Sequence, residues 1–196
     1  AGFTEGFYSK PRIDKQLLRE HAEGLIALSA CQSGEVPRLI LAGNYEAAKA
    51  AALEMRELFG EDGYYLELQD HALPRDPEIN QGLLRIHQEP GIPLVVTNDA
   101  HYLRREDAQM QFTLMCIQMG KTVDDPNRLK METQELYVKS AEEMAALFPD
   151  YPQAVENTQK IADACNLEFR FGVHHLPEFK LPEGYDDGDA YFQKLC

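Results

Sequence analysis

Asp99 and His101 close the segment PLVVTNDAHY and set a carboxylate and an imidazole two residues apart. On an extended backbone, residues i and i+2 point to the same side, so the two side chains are expected to project together. A carboxylate oxygen and an imidazole nitrogen suit zinc, manganese or iron. A local reading is equally open: Asp99 caps the next turn and His101 packs beside Tyr102. Cys31 ends the segment LIALSAC, where spacing alone makes a lone cysteine a small hydrophobe. Asp70 and His71, at the end of YYLELQDH, are adjacent and would face opposite ways on a strand, which favours ordinary hydrogen bonding over a shared ion. His21 and His87 fall in helical stretches and His174 and His175 in the tail; none of them is assigned a role.

The elements that would position these residues alternate in type. AGFTEGFYSKPRI reads as loop. Asp14 is placed to cap a helix over KQLLREHA that Gly24 would end. LIALSAC has the short apolar pattern of a strand buried on both faces. Pro37 is expected to open the helix PRLILA, with Gly43 closing it. YEAAKAAALEMRELF puts Ala48, Ala51, Ala52, Met55 and Phe59 on one helical face before Gly60. YYLELQDH alternates like a strand, and INQGLLRIHQE lines up Ile79, Leu83 and Ile86 in a helix. PLVVTNDAHY is the next strand. The helix after it, EDAQMQFTLMCIQM, has an expected buried stripe of Ala108, Phe112, Met115, Cys116 and Met119. This order implies parallel strands with helices packed outside them, in either a barrel or an open sheet. In such folds sites form at the carboxyl ends of the strands, where Cys31, Asp99 and His101 fall.

After Gly120 the texture turns polar, then strand-like at LYVK. Ser140 and Glu143 form a capping box before MAALF. Pro152 opens a helix whose expected apolar face is Ala154, Thr158, Ile161, Ala162 and Cys165. Beyond Asn166 the chain is extended, acidic and punctuated by Pro and Gly, like a linker, until Tyr191, Phe192 and Leu195 resume helical spacing.

Lys and Arg number 19 against 33 Asp and Glu, a formal charge of −14. That balance argues against a surface that holds nucleic acid by neutralising its phosphates; bound cations or a larger parent would have to bring such a partner here. At 44% hydrophobic and 27% charged, with no run long enough to span a membrane, the chain reads as a soluble, cytoplasmic globular protein. Cys31, Cys116, Cys165 and Cys196 form no CxxC pair, so reduced thiols are expected. The start at Ala1 and the end inside DAYFQKLC suggest a segment of a longer protein. Nucleotide-cradling GxGxxG and GxxxxGK[ST], the GxSxG elbow and HExxH do not occur.

Taken in order, GFYSKPRID, EGLIALSACQSGEVPRLIL, YYLELQDHALP, GIPLVVTNDAHYLRREDAQ, GKTVDDPNR and LYVKSAEEMAALFPDYPQAVENT resemble the PHP (polymerase and histidinol phosphatase) domain of bacterial replicative polymerase alpha subunits, over nearly the whole chain. The resemblance implies an α/β fold: part of a distorted parallel β/α, TIM-like barrel at 1–120, a helical extension at 121–166 and a linker toward a polymerase domain at 167–196. It implies that Cys31, Asp99 and His101 are metal ligands in a phosphoesterase or 3′-5′ exonuclease site holding Zn, Mn or Fe. It also implies DNA and other replisome subunits as partners through the parent. The family usually has glycine where Ala30 and Ala72 stand. Its earlier ligands, from an HxH motif onward, have no counterpart here. The isolated chain is therefore expected to be inactive, to hold little or no metal, and to self-associate through uncovered strand edges. Two alternatives follow: an inert scaffold or subunit-docking module, and a stand-alone phosphatase of the same superfamily, against which GFYSKPRID and DDPNR speak.

Overall fold

Three parallel strands carry the larger of two units in the computed structural model, which describes residues 1–125, 132–174 and 179–196. Pro126, Asn127 and Arg128 of DDPNR, and His175, lie outside the described residues. The units are Ala1–Cys165 and Asn166–Cys196.

In the first unit the opening stretch forms a small exposed antiparallel hairpin, β1 (Phe7–Tyr8) with β2 (Lys10–Pro11), where loop was expected. The Asp14 carboxylate accepts from the Leu17 amide and starts α1 (Lys15–Glu20). This helix stops at Glu20, before Gly24, with His21 as its C-cap. Strands β3 (Ala27–Leu28), β4 (Tyr64–Leu68) and β5 (Leu94–Val96) form one parallel sheet in the order β3-β4-β5. The fold class is therefore α/β with a parallel sheet.

Two strand expectations are corrected by position in the sheet. LIALSAC is a two-residue strand with Leu28 36% exposed, because β3 is an edge strand paired on one side only. YYLEL, expected to alternate, is buried at every position because it is the central strand and is covered on both faces. The alternation survives in what each face meets. Tyr64, Leu66 and Leu68 join the core beneath the helices, while the Glu67 carboxylate accepts from the Thr97 hydroxyl on the other face.

The helices that cover the sheet are α2 (Glu35–Leu41), α3 (Tyr45–Phe59) and α4 (Asp76–Gln88). Gly34, not Pro37, is the N-cap of α2, and Pro37 falls in its first turn. The Asn44 side chain caps α3, whose Ala48, Ala51 and Ala52 are buried as its spacing predicts. Ile79, Leu83 and Ile86 of α4 close over Leu66, Leu68, Leu94 and Val96.

A short 3-10 turn (Arg105–Asp107) leads into α5 (Ala108–Gln118). Of its expected stripe only Ala108 and Cys116 are buried, and Met119 is 38% exposed. This helix is apolar almost all round, and its neighbours among the described residues cover one side, leaving Met110, Leu114 and Ile117 outside. LYVK is not a strand; it makes a single parallel bridge, Tyr102 with Tyr137.

The Ser140–Glu143 capping box starts α6 (Ala141–Leu147), and Pro152 opens α7 (Pro152–Ala164). The apolar face expected of α7 is only partly realised. Ala154 is buried, but Thr158, Ala162 and Cys165 are exposed, since only the first half of the helix rests on β5. The anchor is polar: the buried Asn157 amide donates to the Leu94 carbonyl at 2.7 Å.

In the second unit Asp187 caps α8 (Gly188–Leu195), whose Tyr191 packs against Phe179 and Tyr185.

Replacing Asn157 by Ala leaves a buried carbonyl unsatisfied and is expected to cost about 1–3 kcal/mol of unfolding free energy in urea titration. Thr158→Ala, exposed on the same helix, is expected to shift it by less than about 0.5 kcal/mol.

Candidate functional site

Parallel pairing brings the carboxyl ends of β3, β4 and β5 to one edge of the sheet, where each strand hands over to a turn. Cys31 follows β3, His71 follows β4, and Asp99 and His101 follow β5. Cys31, Asp99 and His101 line a single cavity of about 270 Å³, together with Glu67, His71 and Asp76.

The turn bearing Cys31 is tight. The Gly34 amide donates to the Cys31 carbonyl at 2.8 Å, and a Cβ on Gly34 would sit 2.3 Å from the Ser29 carbonyl oxygen, which restricts that position to glycine. Asp99 and His101 reach the cavity by a route other than the one expected. Asp99 is in the left-handed region at φ 45°, so the backbone is not extended there and the i, i+2 argument does not apply. The turn is closed instead by the His101 ring, whose Nδ1 lies 2.6 Å from the Asp99 carbonyl oxygen. Nδ1–H donates in that contact, so Nε2 is the ring nitrogen not engaged there.

Asp70 and His71 make ordinary hydrogen bonds. The Asp70 carboxylate accepts from the Ala72 amide at 2.9 Å, and the buried His71 ring places Nε2 3.0 Å from the Asn98 carbonyl. Asp76 accepts from the His71 and Leu73 amides and so shapes the turn after β4.

Two groups at this edge carried no sequence signal. Glu67 is 8% exposed and holds the end of β5 through Thr97, whose hydroxyl donates to its carboxylate at 2.7 Å while accepting from the Gln69 amide. The second is a strap, Thr133–Lys139, laid across the TNDAHY turn. The His101 amide donates to the Leu136 carbonyl at 2.8 Å, and the Asn98 side chain donates to the Glu135 and Tyr137 carbonyls. The Lys139 ammonium, its side chain 4% exposed, donates to Asn98 Oδ1 and pairs with Glu135. Thr133 adds a bond from its hydroxyl to the His71 carbonyl. Burial holds the Tyr102 phenol above its ordinary pKa, so it stays neutral beside this strap.

Among the described residues the cavity wall carries three carboxylates, Glu67, Asp76 and Asp99, and neither Lys nor Arg. A thiol, an imidazole and uncompensated carboxylates suit a divalent cation. The arrangement is nonetheless incomplete: among the described residues no three His, Cys, Asp or Glu side chains are placed to hold one ion.

Residues 1–71 match the PHP domain. Cys31 lies inside that match and Asp99 and His101 beyond it. Its wider likeness is to DNA polymerase III subunit alpha. It is 45% identical to that of Treponema pallidum over 98% of this chain and 16% of the relative. The Borreliella burgdorferi subunit is also 45% identical, over 98% of this chain and 17% of its own length. For Thermus aquaticus the figures are 43%, 98% and 16%. The chain thus spans about a sixth of the length of these curated relatives, consistent with a fragment.

Ala30 and Ala72, where the resemblance implies glycine, are both left-handed, at φ 64° and 56°. Ala30→Gly and Ala72→Gly are each expected to raise the unfolding free energy by up to about 1 kcal/mol, since the alanine strain exceeds the entropy glycine adds. Lys139→Met removes the buried ammonium from Asn98 and Glu135 and is expected to cost about 1–3 kcal/mol in the same denaturant assay.

Proposed function

We propose that this chain supplies part of a metal-dependent phosphoesterase site of the 3′-5′ exonuclease type, within a parent that is a cytoplasmic DNA-directed DNA polymerase. The observation that carries the reading is the cavity itself: Cys31 from the end of β3 and Asp99 and His101 from the end of β5 meet on one wall that is rich in carboxylate and, among the described residues, free of Lys and Arg. In the parent, the open side of β3 continues into the rest of a distorted β/α barrel formed with 1–120, residues 121–166 pack on it as a helical extension, and 167–196 lead toward the polymerase domain. DNA and the other replisome subunits are partners through that parent, which also accounts for a nucleic-acid function in a chain of charge −14.

Cys31, Asp99 and His101 are the residues that would hold a divalent ion, with Cys31 favouring zinc or a similarly soft metal over magnesium. When bound, such ions lower the pKa of a water and stabilise the leaving oxygen of a phosphoester. This chain's own part is positional. His101 Nδ1 is spent on the Asp99 carbonyl, which directs Nε2 outward, and Glu67 through Thr97 and Lys139 through Asn98 hold the turn in place. Because the family's earlier ligands have no counterpart in this sequence, the isolated chain is expected to be inactive toward phosphodiesters and to bind metal weakly. The same incompleteness favours a second reading, an inert PHP scaffold that docks a partner subunit.

Calorimetric titration of the chain with Zn²⁺ and with Mn²⁺ separates the two. The phosphoesterase reading expects one weak cation site whose affinity falls by about tenfold or more in Asp99→Ala and in His101→Ala, as loss of an inner ligand or its support commonly does. Metal affinity unchanged by both substitutions would leave the scaffold reading.

A further inference from the structure

Helix α5 leaves an apolar stripe in solvent. Met110, Leu114 and Ile117, each more than half exposed, follow at i, i+4 and i+7 and so line one side of it. No side chain over 108–120 is charged, although 27% of the chain is charged and its formal charge is −14. Over most of the surface two copies of so acidic a molecule repel each other, and over this stretch they do not. The residues are also placed symmetrically about the point between Thr113 and Leu114. Met110 stands three before Thr113 and Ile117 three after Leu114, while Glu106 stands seven before and Lys121 seven after. Glu106, exposed in the turn that leads into α5, makes no ion pair with another described residue. Lys121 lies just beyond the helix end, where its amide donates to the Cys116 carbonyl at 2.8 Å and its ammonium pairs with Asp125 at 3.2 Å. A local surface pair of that kind holds its ammonium weakly.

We propose that this face pairs with the same face of a second copy of the chain, the two α5 helices running antiparallel about a two-fold axis near Leu114. Met110 of each copy then meets the partner's Ile117, the two Leu114 side chains meet on the axis, and Glu106 comes opposite the partner's Lys121. Exposed Arg104 and Asp124 extend the same complement by one further pair. Parallel helices would instead set Glu106 against Glu106 and Lys121 against Lys121, and would oppose like ends of the two helix dipoles. The contact is isologous, so it closes at two copies and does not grow into a filament. It also differs from the strand edges to which the sequence alone assigns self-association. One helix face covers less than the roughly 800 Å² per partner of a standard interface, so the dimer is weak, with a dissociation constant of roughly 10–100 μM. The inference is independent of the phosphoesterase reading and needs no metal.

The test is sedimentation velocity on the 196-residue chain at concentrations on either side of that constant, with EDTA to exclude metal bridging and a reductant because Cys165 and Cys196 are exposed. The mean mass is expected to rise from one chain to two and no further. Leu114→Glu sets two carboxylates together on the axis and is expected to weaken the dimer by about a hundredfold or more, while its exposed position leaves the unfolding midpoint in urea near that of the unsubstituted chain. Glu106→Lys and Lys121→Glu are each expected to weaken it by about three- to tenfold, and the two together to restore it, because the reversed charges again come opposite each other. A chain that stays monomeric, a dimer indifferent to Leu114→Glu, or a double reversal that fails to recover affinity overturns the proposal. Loss of the dimer in Leu28→Lys but not in Leu114→Glu also overturns it, and moves the contact to the open edge of β3.

Discussion

Everything at the candidate site depends on burying β4 on both faces. Its backbone is hydrogen-bonded to β3 on one side and β5 on the other, so all three strands run parallel and end at the same edge. One face of β4 sends Tyr64, Leu66 and Leu68 into the apolar core, where Leu66 and Leu68 lose all contact with water. The opposite face has to accommodate Glu67, whose carboxylate would be costly to bury alone. The Thr97 hydroxyl satisfies one of its oxygens, and that bond joins the end of β5 to the middle of β4. The rigid core and the polar edge are thus two consequences of one strand.

Beyond the strand ends the backbone leaves regular geometry, and polar contacts take over from apolar packing. Ala30, Ala72 and Asp99 all take left-handed conformations at the turns after β3, β4 and β5. Such conformations cost an L-residue of order 1–3 kcal/mol and persist where the surroundings over-determine them. Here the surroundings are Asp76, which gathers the amides after His71, and the Thr133–Lys139 strap, which pins Asn98 and His101 from the other side. A buried Lys–Glu pair over this turn contributes little net stability as a pair, but it limits the turn to one arrangement.

Charge organises the surface above that edge. A strongly acidic chain repels a polyanion, yet its relatives are DNA polymerase III alpha subunits, of which it matches about a sixth. Locally the charge is uneven: one of two adjoining cavities is carboxylate-lined and the other holds Arg75, with His101 in the lining of both.

Much of this was legible in residue order. Alanine spacing in α3, the Asp14 and Asn44 caps, the Ser140–Glu143 box and the Ile79, Leu83, Ile86 stripe are local patterns, and local patterns depend only on near neighbours in sequence. Motif resemblance singled out Cys31, Asp99 and His101 before their common cavity was known. Tertiary structure alone decided that LIALSAC is an edge, that β4 is covered on both faces, that half of α7 is exposed, and that Asn98, Glu67 and Lys139 hold the turn. These properties depend on which surfaces meet across tens of residues, and a polar anchor such as Asn157 or Lys139 carries no periodicity to reveal it. Asp99 was expected on an extended backbone and is left-handed instead, with the His101 ring bonded to its carbonyl. Residue types had set the available chemistry, while the direction of each side chain was set by contacts that only folding creates.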